Sequence, residues 1–302
     1  MTRLSVIIVT YNSADTIAPC LRSLRGQLPE DHFIEILVVD NASRDSTRDI
    51  LRNELAGETI LLNSENRGFS AAVNQGLEKA SGDIILLVNP DVVVDHSFFG
   101  ELLEFFKNQR AADIAGAMVS DMSGVRQPSC WDLPSMRTLA LECFLPHSLA
   151  LPRVTVSPDA TCEVEMVSGV CMAFRRKVYE RIGGFDERFF MFYEDADYCR
   201  RAGEEGMNVY FLAEAKIRHT VSSSSSENFP EFIRRIWKSR LQYIRKYHGS
   251  VYVFCARLLC LAGTCLKIPV YFLVGFLAGN RKFISLAGTH AAVLPIIFGP
   301  LE

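Results

Sequence analysis

The stretch IILLVNPDVVV, residues 84 to 94, joins two apolar runs through Asn89, Pro90 and Asp91. Its first run, Ile84 to Val88, is uninterrupted and closed by a turn signal, the pattern of a strand buried on both faces in a parallel sheet. Such a strand delivers Asp91 to its carboxyl end. In open α/β sheets, ligands bind in the crevice outside those ends. Taken alone, the aspartate reads as a turn former. Its second reading is a ligand for a divalent cation that carries a nucleoside diphosphate, because hard cations prefer carboxylate oxygen.

Upstream, apolar runs alternate with amphipathic stretches. Leu4 to Val9, Ile34 to Val39 and Thr59 to Leu62 read as strands, and helices are expected over Ala14 to Leu24, with Ser13 as cap, over Ser46 to Leu55 and over Ser70 to Ala80. This is the alternation of a doubly wound, mostly parallel sheet flanked by helices. It turns the loops at Tyr11, Asp40, Arg67 and Asp91 toward one edge. No GxGxxG follows the first strand and no Walker phosphate loop occurs, which argues against a dinucleotide cofactor. A nucleotide at this edge would be gripped by side chains and metal. Asp40 could accept a hydrogen bond from a pyrimidine N3–H or form an Asx turn. Arg67 could pair with phosphate or be a solvated surface arginine.

Downstream, a helix is expected over Ser97 to Asn108 and a strand over Ile114 to Val119. Residues 121–158 are rich in proline and poor in periodicity, and long irregular segments of this kind usually form lids or binding loops. This one is assigned to acceptor binding, with a short helix over Thr138 to Phe144 and with Trp131 either stacking on a sugar or anchoring the core. Cys162 to Phe174 reads as a strand pair bent around Ser168 and Gly169, and Lys177 to Ile182 as a helix stopped by Gly183 and Gly184. The run FDERFFMFYEDADYCRR then opens a helix at Glu194, Asp195 and Asp197. Acidic residues in a first turn suit the helix dipole, and Asp197 stands four residues before Arg201, the spacing of an intrahelical ion pair. Asp195 and Glu194 have no such partner, and a carboxylate beside an aromatic wall at a helix start is a candidate general base. A strand over Asn208 to Leu212 precedes His219 and the serine run 222–226, read as a loop suited to closing over a donor.

The chain has 302 residues and a net charge of −3. That balance supplies no basic footprint for nucleic acid. The nine cysteines form no CxxC pair and are expected to be reduced thiols; for Cys255, Cys260 and Cys265, in an apolar region, plain burial is expected, with acylation as the alternative. The first apolar run is too short for a signal peptide, so the catalytic part is expected in the cytosol. Phe229 to His248 reads as a basic amphipathic helix carrying Arg234, Arg235, Lys238, Arg240, Arg245 and Lys246. Val251 to Ala278 and Phe283 to Gly299 are apolar but broken by Arg257, Lys267, Pro269 and Pro295, with a basic turn, residues 280–282, between them. The expectation is an interfacial or re-entrant helical pair on the cytosolic membrane leaflet, with the basic helix on anionic lipid. The alternative is an ordinary helical subdomain or a homodimer interface.

Taken in order, SVIIVTYN, VVDNASRDST, NRGFSAAVNQG, LLVNPDV, SGVCMAFRR, GGFDERFFMFYEDADYCRR and His219 resemble the family 2 inverting glycosyltransferases of GT-A fold, in the rhamnosyltransferase-like branch of bacterial surface polysaccharide assembly. The resemblance covers roughly Leu4 to Ser226. It implies a GT-A (Rossmann-like) domain over 1–226, with a nucleotide-sugar half 1–119 and an acceptor half 120–226, followed by a membrane-associating C-terminal apolar helical tail over 227–302. By the resemblance, Thr10, Tyr11, Asp40, Arg67 and Asn89 hold the donor, Asp91 takes the last place of the DXD metal motif, and His219 reaches the metal or diphosphate. Trp131 and Glu194 fall on the acceptor side, and Asp195 is the catalytic base. Asn89 stands where many relatives carry the first aspartate of that motif. The implied reaction is inverting transfer of one sugar from dTDP-rhamnose or a UDP-sugar to a hydroxyl of a lipid-linked glycan, assisted by Mg²⁺ or Mn²⁺. The absence of QxxRW disfavours a processive synthase. The alternatives are a polyprenyl-phosphate sugar transferase and a catalytically silent, membrane-attached nucleotide-sugar-binding scaffold.

Overall fold

The computed structural model describes residues 2–29, 32–55, 57–145, 158–220, 229–277, 279, 286, 288, 291 and 294–299. In chain order the strands are β1 (Arg3–Thr10), β2 (Phe33–Asp40), β3 (Thr59–Leu62), β4 (Ile84–Val88), β5 (Val92–Val94), β6 (Ala112–Ser120), β7 (Arg126–Gln127), β8 (Cys130–Trp131), β9 (Cys162–Glu163), β10 (Met166–Val167), β11 (Cys171–Arg175) and β12 (Asn208–His219). The helices are α1 (Ile17–Arg25), α2 (Thr47–Glu54), α3 (Phe69–Lys79), α4 (Phe98–Asn108), α5 (Met136–Phe144), α6 (Arg176–Ile182), α7 (Glu194–Glu204), α8 (Phe229–His248), α9 (Ser250–Leu277) and α10 (Leu294–Phe298). They form two compact units. The first comprises Met1–Leu133, Val154–Phe190 and Glu194–Ser222; the second comprises Pro134–Arg153, Met191–Tyr193 and Ser223–Glu302. The sequence boundary at 226/227 keeps 134–153 and 191–193 with the first region, whereas the fold groups them with the tail.

In the first unit one mixed sheet runs β3-β2-β1-β4-β11-β6-β12-β5, with β7 paired to β6 and β9 to β12. β1, β2, β3, β4, β6 and β12 point one way, while β11 and β5 run against them. β4 is buried along its whole length because both of its faces are covered. Leu4, Val6, Ile8, Ile36, Val38, Leu86 and Val88 face a core shared with Ile17, Cys20, Leu21 and Leu24 of α1 and with the phenylalanines of α4. Those α1 positions recur at the helical period, and burying a leucine or isoleucine there contributes ~1.5–3 kcal/mol. On the opposite face α3 lies directly on β1. A Cβ built on Gly76 would stand 2.6 Å from Ile7 Cγ2, so only glycine allows that approach.

Four expectations are corrected. Ser13 does not cap α1: the helix starts at Ile17 after Thr16, and the Ser13 N–H is taken by Thr47 Oγ1. The segment 162–174 is not a self-paired hairpin, since β9, β10 and β11 pair with β12, β8, and β4 plus β6 respectively. The strand expected to end at Leu212 continues to His219, with a register irregularity between Leu212 and Lys216. Cys255 and Cys265 are exposed and only Cys260 of the three is buried, because a spacing of five turns each about 140° away from Cys260's side of the helix.

In the second unit, α5 starts in a capping box formed by Ser135 and Thr138. Leu139 and Cys143 of α5 pack with Leu241, Ile244, Val253, Ala256, Cys260 and Ile297. Arg240, counted in the sequence among lipid-facing cations, is buried and paired with Glu142. Gly249, at φ 85°, separates α8 from α9. α9 is a continuous helix of 28 residues despite Pro269, long and apolar enough to cross a membrane. The serine run, the turn 280–282 and about half of the second apolar stretch lie outside the described residues.

Candidate active site

The carboxyl ends of β1, β2 and β4 meet in register, with Thr10 opposite Asp40 and Ile8 opposite Val88. Thr10 and Asp40 are fully buried. Thr10 Oγ1 donates to Asp40 Oδ2 at 3.1 Å, the Ser43 N–H donates to Oδ1 at 3.1 Å, and Arg48 of α2 forms an ion pair with Oδ1. The N–H that Asp40 accepts lies three residues on, so the loop is closed by a contact other than the Asx turn, and a cation offsets the cost of burying its charge. Tyr11 follows immediately, 45% exposed. Asn12 and Ala42, just past the two strand ends, adopt positive φ of 50° and 70°; such backbone strain concentrates at functional sites.

Arg67 is exposed, with no side-chain partner among the described residues. Its loop is held by Asn41, which the sequence did not single out. Asn41 Oδ1 accepts the Arg67 N–H and Asn63 Nδ2, each at 3.1 Å, while its Nδ2 donates to Asn66 Oδ1 and to the Gly68 carbonyl. Arg48 was likewise missed. Its only sequence signal is a basic residue eight positions after Asp40 in the first turn of a helix.

The antiparallel pairing of β12 with β5 places His219 opposite Val92, next to Asp91. Asp91 is 8% exposed, and its buried Oδ1 has no hydrogen bond among the described residues. His219 Nε2 lies 3.2 Å from that oxygen, off the hydrogen-bonding direction, and Nδ1 lies 3.4 Å from Gln127 Oε1.

The Asn89 N–H donates to the Val170 carbonyl at 2.9 Å, and the neighbouring Gly169 N–H donates to Asp195 Oδ2 at 3.1 Å. This short path joins the end of β4 to the first turn of α7. Trp131 is half-buried on β8, which pairs with β10 through Trp131 and Met166. The Ser168 N–H donates to the Ser129 carbonyl at 2.9 Å, so this ribbon adjoins the same segment.

Asp195 and Glu194 are differentiated. Burial raises both carboxyls above the usual range. The N–H groups of Gly169 and Ala196 pull Asp195 back down, whereas Glu194 Oε2 has no hydrogen bond among the described residues and sits beside Asp195 and Asp197. The direction of these shifts is for Asp195 to ionise before Glu194. Asp197 is fully buried and paired with Arg201 at 2.8 Å, as its spacing predicted.

A mixed sheet with polar loops and carboxylates gathered at the carboxyl ends of its strands is where open α/β enzymes bind their ligands. Solved glycosyltransferase structures share this fold. The mannosyltransferase PcManGT from Pyrobaculum calidifontis, in complex with GDP-Man and Mn²⁺, matches with a TM-score of 0.60 at 18% identity over 97% of this chain and 86% of that chain. S. aureus TarS 1–349 in complex with UDP matches with a TM-score of 0.53 at 22% identity over 79% of this chain and 65% of that chain. The model of Glycosyl transferase family 2 matches residues 5–183; the chain belongs to that family and is a glycosyltransferase. Among characterised relatives, it is 26% identical over 271 residues to the N-acetylglucosaminyl-diphospho-decaprenol L-rhamnosyltransferase of Mycobacterium tuberculosis, covering 84% of each chain. It is 22% identical over 248 residues to the rhamnosyltransferase WbbL of Escherichia coli, covering 80% of this chain and 92% of the relative.

Proposed function

We propose that the enzyme moves one sugar from a nucleoside-diphosphate donor, dTDP-rhamnose or a UDP-sugar, to a hydroxyl of a lipid-linked glycan in cell-surface polysaccharide biosynthesis, with inversion at the anomeric carbon. The observation that carries this reading is the hydrogen-bonded path from Asn89 through Val170 and Gly169 to Asp195, which brings the diphosphate end of the sheet to the candidate base. Relatives named as rhamnosyltransferases, one of them for a diphospho-decaprenol acceptor, support the donor and acceptor classes.

In this reading Thr10, Tyr11, Asp40, Arg67 and Asn89 hold the donor. Asp40 reads a base N3–H by trading part of its contact with Arg48 or Thr10. Asp91 and His219 fit a divalent cation, because an unsatisfied carboxylate oxygen and an imidazole nitrogen converge there. Asp91 and His219 would hold the cation from the protein side and leave its other positions for donor and solvent oxygens, and carboxylate with imidazole suits Mn²⁺ or Mg²⁺. When bound, the cation neutralises charge on the leaving diphosphate. Trp131 and Glu194 face the acceptor. An Asp195 oxygen takes the proton from the acceptor hydroxyl as that hydroxyl's oxygen attacks the anomeric carbon opposite the leaving group, a one-step inversion.

The tail is proposed to lie on the cytosolic membrane leaflet. Arg234, Arg235, Lys238 and Arg245 of α8 are exposed, as are Val251, Phe254, Leu258, Leu266, Phe272 and Phe276 of α9. Basic side chains beside a large apolar surface suit anionic lipid.

The test is transfer from dTDP-rhamnose or UDP-sugars to a polyprenyl-diphosphate-linked acceptor, with the product's anomeric configuration read by NMR. An inverted linkage that disappears in Asp195→Asn supports the reading; a retained configuration, or full turnover in Asp195→Asn, overturns it.

A further inference from the structure

Two buried cysteines of the second unit face each other across a helix contact. Cys143 lies on α5 and Cys260 on α9, and their sulfurs stand 4.0 Å apart. Both belong to the unit's apolar core, with Leu139, Val253 and Ala256. Their closeness is set by the backbone. Gly263 follows Cys260 by three residues and so shares its face of α9, and a Cβ built on Gly263 would stand 2.5 Å from the Cys143 carbonyl oxygen and 2.9 Å from the Cys143 Cβ. Only glycine lets α5 come so near. Helices in such close contact bring facing cysteines into the range that a disulfide requires.

The charges beside the pair favour reaction at Cys143. Glu142, its neighbour in the chain, pairs through its carboxylate with Arg240 at 2.5 Å, and the Glu142 carbonyl accepts a hydrogen bond from Lys267 Nζ at 2.5 Å. Arg240 and Lys267 are themselves buried. The Cys260 thiol, then these two cations, pull the Cys143 thiol below its ordinary value against burial and the Glu142 charge. The thiolate is the reactive form in thiol oxidation. Cys143 is also the more open of the two, 6% exposed against 2% for Cys260.

We propose that Cys143 and Cys260 form a reversible oxidation site, at which a peroxide fastens α5 to α9 through a disulfide. With hydrogen peroxide, the Cys143 thiolate attacks one oxygen: an S–O bond forms, the O–O bond breaks, and hydroxide leaves to become water, giving a sulfenic acid at Cys143. The Cys260 sulfur then attacks the Cys143 sulfur. The S–S bond forms, the S–O bond breaks, and the hydroxide departs with the Cys260 proton as a second water. Two thiols give up two electrons in all, and the peroxide takes them. In a reducing compartment the pair rests as thiols, and exchange with a thiol reductant restores it after oxidation.

The experiment treats the folded, fully reduced full chain with hydrogen peroxide, blocks the remaining thiols and maps peptides without reduction. The expected product is a peptide pair linked through Cys143 and Cys260, with the free-thiol count lowered by two from nine and restored by dithiothreitol. The urea midpoint should rise on oxidation, because a cross-link restrains the unfolded chain, and should not rise in Cys260→Ser. In Cys260→Ser the sulfenic acid at Cys143 meets no thiol and should be trapped by dimedone. The double variant Cys255→Ser, Cys265→Ser, which lacks the two exposed thiols, should form the link to the same extent as the unaltered chain. Oxidation confined to Cys255 and Cys265, a link that appears only in urea, or nine thiols still free after treatment would each overturn the proposal. If Cys260→Ser fails to fold, the peptide map of the unaltered chain decides alone.

Discussion

Glu194→Gln separates the two neighbouring carboxyls in the first turn of α7. Glu194 is 7% exposed, and burial first, then Asp195 and Asp197, push its carboxyl well above the usual range. In the unfolded chain it titrates near the ordinary value of about 4.3. Between the unfolded and folded values the native state keeps a proton that the unfolded chain has released. Stability therefore falls as pH rises through that window and levels off above the folded value. Each pH unit of separation is worth ~1.4 kcal/mol. Burying the unpaired polar atom costs a further ~1–3 kcal/mol, which glutamine retains, so the substitution removes only the pH-dependent part. Urea midpoints of the two proteins should coincide near about pH 4 and diverge toward about pH 8, with the glutamine variant the more stable there. Transfer at neutral pH should stay within about three-fold of wild type, because glutamine keeps the size and shape of the side chain and the reading gives the proton transfer to Asp195. A constant difference in midpoint across the range, or a variant less stable at high pH, would refute the reasoning.

Two further outcomes are expected. Arg48→Ala strips the charged partner from Asp40, which is fully buried; breaking a buried pair costs ~3–5 kcal/mol, and the partial exposure of Arg48 places the loss near ~3 kcal/mol. Urea unfolding checks this, and a loss below about 0.5 kcal/mol would contradict the role given to the pair. Full-length protein should float with vesicles containing anionic lipid, less so at high salt, and a variant lacking residues 251–302 should float poorly; equal flotation of the two would remove α9 from membrane contact.

The repeated strand and helix units from Leu4 to Val94 were legible because both faces of the sheet are covered, which leaves uninterrupted apolar runs ending in polar loops. The places of Asp91 after β4 and of Asp195 in the first turn of α7, and the Asp197–Arg201 pair, were legible because each is set by one local element. What the sequence hid was set by pairing between distant segments. β12 reaches His219 through Ala213, Glu214, Ala215 and Lys216, an alternation in which small alanines fill the buried positions and weaken the hydrophobic period. Asn41 and Arg48 act through loops and a helix turn whose partners lie across the sheet edge. The left-handed Phe192 and Tyr193 carry no glycine or asparagine to announce them. The packing of α5 against α9 requires Gly263, where a Cβ would stand 2.5 Å from the Cys143 carbonyl, and no local pattern pairs segments so far apart in the chain.

The most direct measurement is calorimetric titration of dTDP-rhamnose, UDP-sugars and GDP-mannose, with and without Mn²⁺, into wild type, Asp91→Ala and Asp195→Asn. The account predicts metal-dependent binding of dTDP-rhamnose or one UDP-sugar that Asp91→Ala loses and Asp195→Asn keeps. Binding that ignores both Mn²⁺ and Asp91, or binding of no donor at all, would contradict it.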